Sequence, residues 1–330
     1  MMKRTFLFLA FIAAITLQAR PDVDVKLTGK TSRSNKTVEE LCQPSRAQTD
    51  LNLNNVRTTI LGGGDMWWDL NSARYEVPKD GGKHSMFAGA LWLGGLDEGQ
   101  QLKLAGMTYR SSGNDFWPGP LSNDGLASVT KSVCDAYDRH WVIHREQVEM
   151  HRAWLICRND VNCDVADKFP GYEGNIPDII LDWPAHGVDS DLPYALAPFI
   201  DLDGDERYDP LEDYPAYDLD RQFDCRLKET DVLYGDQTIW WVYNDRGNIH
   251  TETGAGALGF EIRAQAFAFA TNDEINNMTF YNYRILNKST FRLTNTYFST
   301  WFDPDLGNYL DDIIGCDIPR GLGYCYNADL

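Results

Sequence analysis

The residues whose types and spacing promise chemistry lie in one stretch, Asp201-Leu-Asp-Gly-Asp-Glu-Arg-Tyr-Asp-Pro-Leu-Glu-Asp213. Acidic side chains occupy loop positions 1, 3, 5, 9 and 12, namely Asp201, Asp203, Asp205, Asp209 and Glu212. A hard cation such as Ca²⁺ takes six to eight oxygens, and this spacing can wrap them around one point, with the backbone carbonyl of Arg207 at position 7 as a further ligand. Without a cation, five carboxylates so close would repel one another. The sequence therefore leads us to expect a Ca²⁺ site formed by Asp201, Asp203, Asp205, Arg207, Asp209 and Glu212. The plain alternative is a solvated acidic Asp-Gly turn.

The loop departs from the EF-hand pattern, which has Gly at position 6. Here Glu206 stands at position 6 and Gly204 at position 4, a placement that occurs in dockerin-like calcium loops. Pro210 and Pro215 interrupt any helix on the C-terminal side. The expectation is a lone EF-hand-like loop outside any paired helix-loop-helix module. Extracellular sites of this kind bind with Kd on the order of 10⁻⁴ to 10⁻³ M. An ion with saturated ligands and no redox chemistry fixes a loop and catalyses nothing.

Other constellations are weaker. Asp303, Asp305, Asn308, Asp311, Asp312 and Asp317 form a second acidic cluster whose spacing fits no standard ion loop. His140, His144 and His151 would share a face only if one helix ran from Asp135 to Ile156, and a metalloprotease glutamate is missing from His140-Trp-Val-Ile-His144. His186 neighbours Asp182, but in a chain with 49 acids a chance pair is nearly assured. Trp67, Trp68, Trp117, Trp240 and Trp241 could stack on sugars, although most Trp in β-sandwiches belong to the core. The chain has no GxSxG elbow, HExxH, phosphate-binding loop or GxGxxG. No residue is assigned a catalytic role.

The elements that must position the loop are mostly strands. Hydrophobic residues make up 43% and aromatics 12% of the 330 residues, enough for a core and weighted towards strand formers. "SMFAGALWLGGLD" and "LKLAGMTYR" predict two strands joined by a turn. "QTIWWVYND", "LGFEIRAQAFAFA", "MTFYNYRILN" and "FRLTNTYFSTWFD" predict four more. In the second of these four, Phe260, Ile262, Ala264 and Ala266 alternate with Glu261, Arg263 and Gln265, the period of a half-buried strand. Asp135 to Ile156 is the best helix candidate, although Trp141-Val-Ile could begin as a strand. The fold expected is mainly β, with antiparallel sandwich-type regions, one helix and a long irregular segment rich in Asp, Pro and Gly.

By this reading residues 1–19 are a signal peptide, 20–55 a polar leader or linker, and 56–160 a β-rich region with a helix. Residues 161–236 are the irregular calcium-loop segment, and 237–330 an antiparallel sandwich region that continues beyond Leu330. Lys3 and Arg4 precede a short apolar run, Thr5 to Leu17, and Ala19 suits cleavage. Export and a secreted or cell-surface location follow, with no membrane insertion after signal removal. The net charge of −19 argues against nucleic acid and anionic membranes as partners. Seven cysteines in an exported chain predict disulfides. Cys157 with Cys163, and Cys316 with Cys325, could each close a small loop. Cys42, Cys134 and Cys225 remain, and the odd count leaves one thiol free or paired outside the chain.

Seven segments in order, "ARYEVPKDGGKHSMFAGALWLGGLD", "DFWPGPLS", "WPAHG", "APFIDLDGDERYDP…DYP", "GDQTIWWVYND", "AQAFAFATNDEINNMTFYNYRILN" and "DPDLGNYLDDIIGCD…GLGYCYN", resemble the N-terminal region of large exported Bacteroidota-type proteins. Such proteins commonly end in a type IX secretion sorting domain. The resemblance runs from about Asn55 to Leu330 and implies export across the outer membrane by that secretion machinery. The family's DxDGDxxYDP positions fall on Asp201, Asp203, Gly204, Asp205, Tyr208, Asp209 and Pro210. No sorting domain is present in this sequence, and the odd cysteine suggests a piece of a longer protein. The leading expectation is a non-enzymatic structural or adhesive module that meets extracellular glycans or surface proteins. A secreted glycan hydrolase and a carbohydrate-binding module are the alternatives.

Overall fold

Alternating and continuous apolar runs form strands, and these strands pair into two large antiparallel sheets and two two-stranded ones. The computed structural model describes residues 41–217, 219 and 232–328. The apolar run read as a signal, the greater part of the polar leader and Cys225 lie outside the described residues. In chain order the first six strands are β1 (Gln48–Leu51), β2 (Arg57–Leu61), β3 (Asp65–Met66), β4 (Tyr75–Glu76), β5 (His84–Leu96) and β6 (Leu102–Ala105). Next come β7 (Trp117–Pro118), α1 (Lys131–Tyr137), β8 (Trp141–His144) and α2 (Arg145–Asn159). The short α3 (Val165–Lys168) and α4 (Asp178–Leu181) precede a two-strand pair, β9 (Phe199–Ile200) and β10 (Tyr214–Pro215). The remaining strands are β11 (Gln237–Asn244), β12 (Phe260–Ala268), β13 (Phe280–Asn287), β14 (Thr294–Pro304), β15 (Asp312–Asp317) and β16 (Leu322–Asn327).

One sheet has seven strands, ordered β1-β2-β3-β5-β14 with β4 and β6 alongside. The other has five, β13-β12-β11-β7 with β8 also on β11. Ile239, Trp241 and Tyr243 of β11 and Phe260, Ile262 and Ala264 of β12 meet Leu51, Ile60, Ala90 and Leu93 of the seven-stranded sheet. This is the sandwich core. Gly64, in the turn between β2 and β3, has φ +82° and lies against the Tyr243 ring, where an added Cβ would come within 2.8 Å. Gly64 therefore serves close packing between the sheets.

The mainly β, antiparallel sandwich-type architecture agrees with the sequence, and three details differ. First, the expected single helix is two, with β8 between α1 and α2, so the strand alternative at Trp141 is realised; α3 and α4 bring the α-helices among the described residues to four. Second, β12 is buried on both faces, with Glu261 at 0% and Arg263 at 7% exposure. A further layer covers its polar side: Trp154 and Leu155 of α2, Ile180 of α4, Trp183 and Leu196 pack against Trp240 and Val242 of β11. Under that layer Arg263 donates to Glu261 and to the Leu196 carbonyl, both at 2.8 Å, and Glu261 accepts the Leu121 amide at 2.9 Å. Third, order reaches back into the polar leader. β1 pairs with β2, and Asp138 accepts the Ser45 hydroxyl and the amides of Arg46 and Ala47.

Disulfides join Cys157 to Cys163, as the spacing suggested, and Cys42 to Cys134. Cys316 and Cys325 are free. The β15–β16 register pairs Cys325 with Ile314 and Cys316 with Gly323. The two thiols are thus diagonal, a relation that leaves backbones roughly 7–8 Å apart, beyond comfortable disulfide reach. No helix among the described residues is long and apolar enough to cross a membrane.

The two bridges differ in the chain they close, with separations of 92 and 6 residues. Loop-closure entropy predicts that Cys42→Ala/Cys134→Ala costs about 4–5 kcal/mol and Cys157→Ala/Cys163→Ala about 2 kcal/mol. Urea unfolding of the two double variants checks this order.

Candidate metal centre

The acidic loop is the connection of a small hairpin. β9 and β10 pair Ile200 with Tyr214 and Phe199 with Pro215, which brings the ends of the loop together. Asp213 completes the closure: its carboxylate, 1% exposed, accepts the amides of Leu202 and Asp209, both at 2.9 Å. The amides of Glu212 and Asp213 donate to the Asp209 carbonyl, which winds 209–213 into one helical turn. The chain then enters β10, so the loop lies between strands rather than between helices.

The surrounding layer holds the hairpin from outside. Tyr208 donates its hydroxyl to the Ile180 carbonyl at 2.7 Å and its amide to His186 Nε2 at 2.8 Å. His186 Nδ1 lies 2.7 Å from the Tyr194 carbonyl, so the ring carries its proton on Nδ1 and accepts on Nε2. His151 of α2 is fully buried, and burial holds its pKa below the ordinary value. Its Nε2 donates to the Asp213 carbonyl at 3.2 Å.

Within this frame Asp201, Asp203 and Asp205 each offer a carboxylate oxygen, all within 4.8 Å of one another. Backbone conformation produces the convergence. Gly204 (φ +79°) and Glu206 (φ +63°) are left-handed and turn their amides back onto Asp201, at 2.7 and 2.9 Å. Position 6 therefore has the geometry that favours Gly, although Glu206 carries a Cβ there at a cost of about 1–2 kcal/mol. Burial opposes ionisation of Asp201, but the Glu206 and Gly204 amides outweigh it and hold the pKa below the ordinary value. Asp203 accepts the Asp205 amide at 3.2 Å, and Asp205 accepts the Arg207 amide at 2.7 Å.

The remaining predicted ligands stand around this trio. A hydrogen bond and the charge of Asp203 hold the Glu212 carboxyl above its ordinary pKa, so positions 3 and 12 face each other. Asp209 accepts the Leu211 amide at 2.8 Å and is not one of the gathered three. Arg207, expected to offer its backbone carbonyl, lines a cavity of about 400 Å³ with His186, Asp189 and Tyr194.

The other sequence candidates resolve differently. In the second acidic cluster Asp303, Asp305 and Asp312 interact, whereas Asp317 caps residues 318–320 and Asn308 accepts the Leu310 amide. His140 is half-buried against Trp241, with desolvation pushing its pKa down to about 4, and bonds Thr49. His144 precedes α2, so the three histidines do not share a helix face. Asp182 pairs with Arg139 at 2.7 Å rather than with His186. Trp68, Trp117, Trp240 and Trp241 are core residues, at 5% exposure or less.

Sequence reasoning missed Asp213 and the His186–Tyr208 clasp. Asp213 stands one place beyond the twelve-residue frame, and its burial against Leu202 has no signature in spacing. No known family, curated protein or solved structure matches the chain.

Asp213→Ala strands two amide donors at the base of the hairpin. The expected loss is about 1–3 kcal/mol in chemical denaturation, with the loop amides of 202–209 exchanging faster while those of β11 and β12 are unchanged.

Proposed function

We propose that this chain is an exported, Ca²⁺-stabilised module of structural or adhesive character, with Ca²⁺ bound by the loop 201–213. The observation that carries the metal reading is the approach of the Asp201, Asp203 and Asp205 carboxylates to within 4.8 Å of one another. A ring of acceptor-only oxygens suits a hard cation, and flexible oxygen coordination suits Ca²⁺ better than Mg²⁺. Glu212, facing Asp203, supplies the residue at position 12, and the Arg207 carbonyl and Asp209 complete the set. The ion's role is to hold a Pro- and Asp-rich hairpin loop in one shape. Two disulfides fit an oxidising compartment, and the apolar run at the N-terminus supports export. The resemblance to exported type IX cargo supports a cell-surface or extracellular site, with glycans or surface proteins as partners.

With Kd near 10⁻⁴ to 10⁻³ M, 10 mM Ca²⁺ stabilises the fold by about 1.4–2.7 kcal/mol and raises Tm accordingly. Asp203→Ala/Asp205→Ala abolishes that shift, and an unchanged response in the double variant would refute the site. Incubation with polysaccharide and peptide panels tests the non-enzymatic part, since turnover of either would establish a hydrolase instead. Cell fractionation of the tagged full-length product tests export.

Protonation adds a separate test. The Glu212 carboxyl titrates above its ordinary value because Asp203 stands beside it, so protons compete with Ca²⁺ there as pH falls towards mildly acid values. The Ca²⁺-induced Tm shift is expected to be smaller at pH 5 than at pH 7, with proton release on binding at the lower pH. The Glu212→Gln variant loses most of this pH dependence.

A further inference from the structure

A second concave site lies at the C-terminal end of β14, where Asp303 and Pro304 pair with β5. It is a cavity of about 580 Å³ walled by Trp68, Phe87, Tyr109 and Tyr309, with Asp303 and Asp305 at its side. The three inner rings form a corner: Tyr109 meets Trp68 edge-on at 6.0 Å between centroids and Phe87 at 5.8 Å. Tyr309 is 71% exposed and forms an outer wall.

The polar groups of this cavity are unbalanced. The Tyr109 hydroxyl already donates to Asp303, and Trp68 Nε1 donates to Asp65 at 3.2 Å. Among the described residues the lining contains no Lys, Arg, Asn or Gln. Ionised carboxylates only accept hydrogen bonds, so the wall is rich in acceptors and poor in donors. A sugar, whose hydroxyls need both, is poorly matched. Negative charge is also in excess. Burial and the neighbouring Asp312 and Asp303 hold the Asp305 carboxyl above its ordinary pKa, and the basic group opposing them is His84. Aromatic faces and carboxylates both attract positive charge, the first through the ring quadrupole.

We propose that the cavity bounded by Trp68, Phe87, Tyr109 and Tyr309 is a binding site for an organic cation, an alkylammonium group held over the rings with its charge against Asp303 and Asp305. The group could be a free quaternary amine or a trimethylated lysine side chain of a polypeptide, since both present the same trimethylammonium head. Titration calorimetry on the full chain separates these and tests the class. The probes are choline, N-acetyl-trimethyllysine methylamide and 3,3-dimethylbutan-1-ol, the uncharged isostere of choline. We expect saturable binding of at least one cationic probe, at least about tenfold tighter than of the isostere. Preference for choline indicates a small-molecule source, and preference for the lysine derivative a polypeptide.

Asp303→Asn/Asp305→Asn should weaken cation binding at least about tenfold. Tyr309→Ala, at an exposed position that leaves the fold intact, should weaken it several-fold. Asp203→Ala/Asp205→Ala should leave it unchanged. Equal binding of choline and its isostere, tighter binding of methyl glucoside, no saturable binding of either cation, or full affinity in both cleft variants would each overturn the proposal.

Discussion

The structure depends on buried carboxylates that collect backbone amides from distant parts of the chain. Asp245 accepts the amides of Leu258, Gly259 and Phe260, and Asp115 those of Gly106, Glu252 and Thr253. His250 lies between the two acids. Its Nδ1 faces the Leu104 carbonyl at 2.8 Å and its Nε2 the Asp245 carbonyl at 2.7 Å. The Asp115 and Asp245 carboxylates lie 3.7 and 3.8 Å from the ring nitrogens. Burial raises the Asp245 carboxyl, and the amides and His250 oppose that shift. Glu261, which accepts the Leu121 amide, and Asp213 at the loop base repeat the device, whereas buried Asp65 is satisfied by the Arg110 guanidinium and Trp68 Nε1. Apolar burial is non-directional and holds the sheets together, but it does not fix where long connections cross them. Directional bonds to buried acids do, because leaving such a group unpaired costs far more than a typical hydrogen bond contributes.

This device explains which parts of the fold were legible in the sequence. Strand positions were, because the pleat imposes a period of two and the longer strands display it. The segments at β5, β11, β12, β13 and β14 sit where the apolar runs lie. What covers each face was not. Glu261, Arg263 and Gln265 look like a solvent face because their partners, the Leu121 amide and the carbonyls of Leu196 and Val232, lie 140, 67 and 33 residues away. A polar side chain satisfied by remote backbone has the same sequence signature as one satisfied by water. The same ambiguity hides the burial of Asp65, Asp115, Asp213, Asp245 and Glu261. The division of the expected helix has a local cause instead: His140 to His144 is apolar and β-branched enough to join β11, and its pairing with that strand outweighs the helical period.

The acidic loop was legible to a different degree. The gathering of the acids follows from their spacing, because local turns bring near neighbours together. Asp201, Asp203 and Asp205 converge through bonds spanning two to five residues. Its architectural context was hidden. Pro210 and Pro215 excluded a following helix, but no sequence signal showed that Phe199–Ile200 and Tyr214–Pro215 would pair or that Asp213 would turn inward. The tryptophans were ambiguous for a related reason. Adjacent Trp pairs on a strand point to opposite faces, and only the third layer makes both faces of β11 interior.

The separation between anchoring and liganding atoms determines how an ion would act here. Asp213, Tyr208, His186 and His151 hold the base of the hairpin through bonds that involve none of the Asp201, Asp203 and Asp205 oxygens. The loop base is therefore organised by the protein, while the tip is organised by carboxylates that repel one another. A cation bound at the tip removes that repulsion without having to assemble the hairpin, so little ordering entropy offsets its binding. The converse also holds. Removing the ion releases the tip alone, because the base is tied to α2 and α4, and through them to the face of β11. If the proposed ion binds there, such a loop would change shape with cation concentration while the sandwich behind it stayed fixed, as expected where loops make contacts from a rigid support.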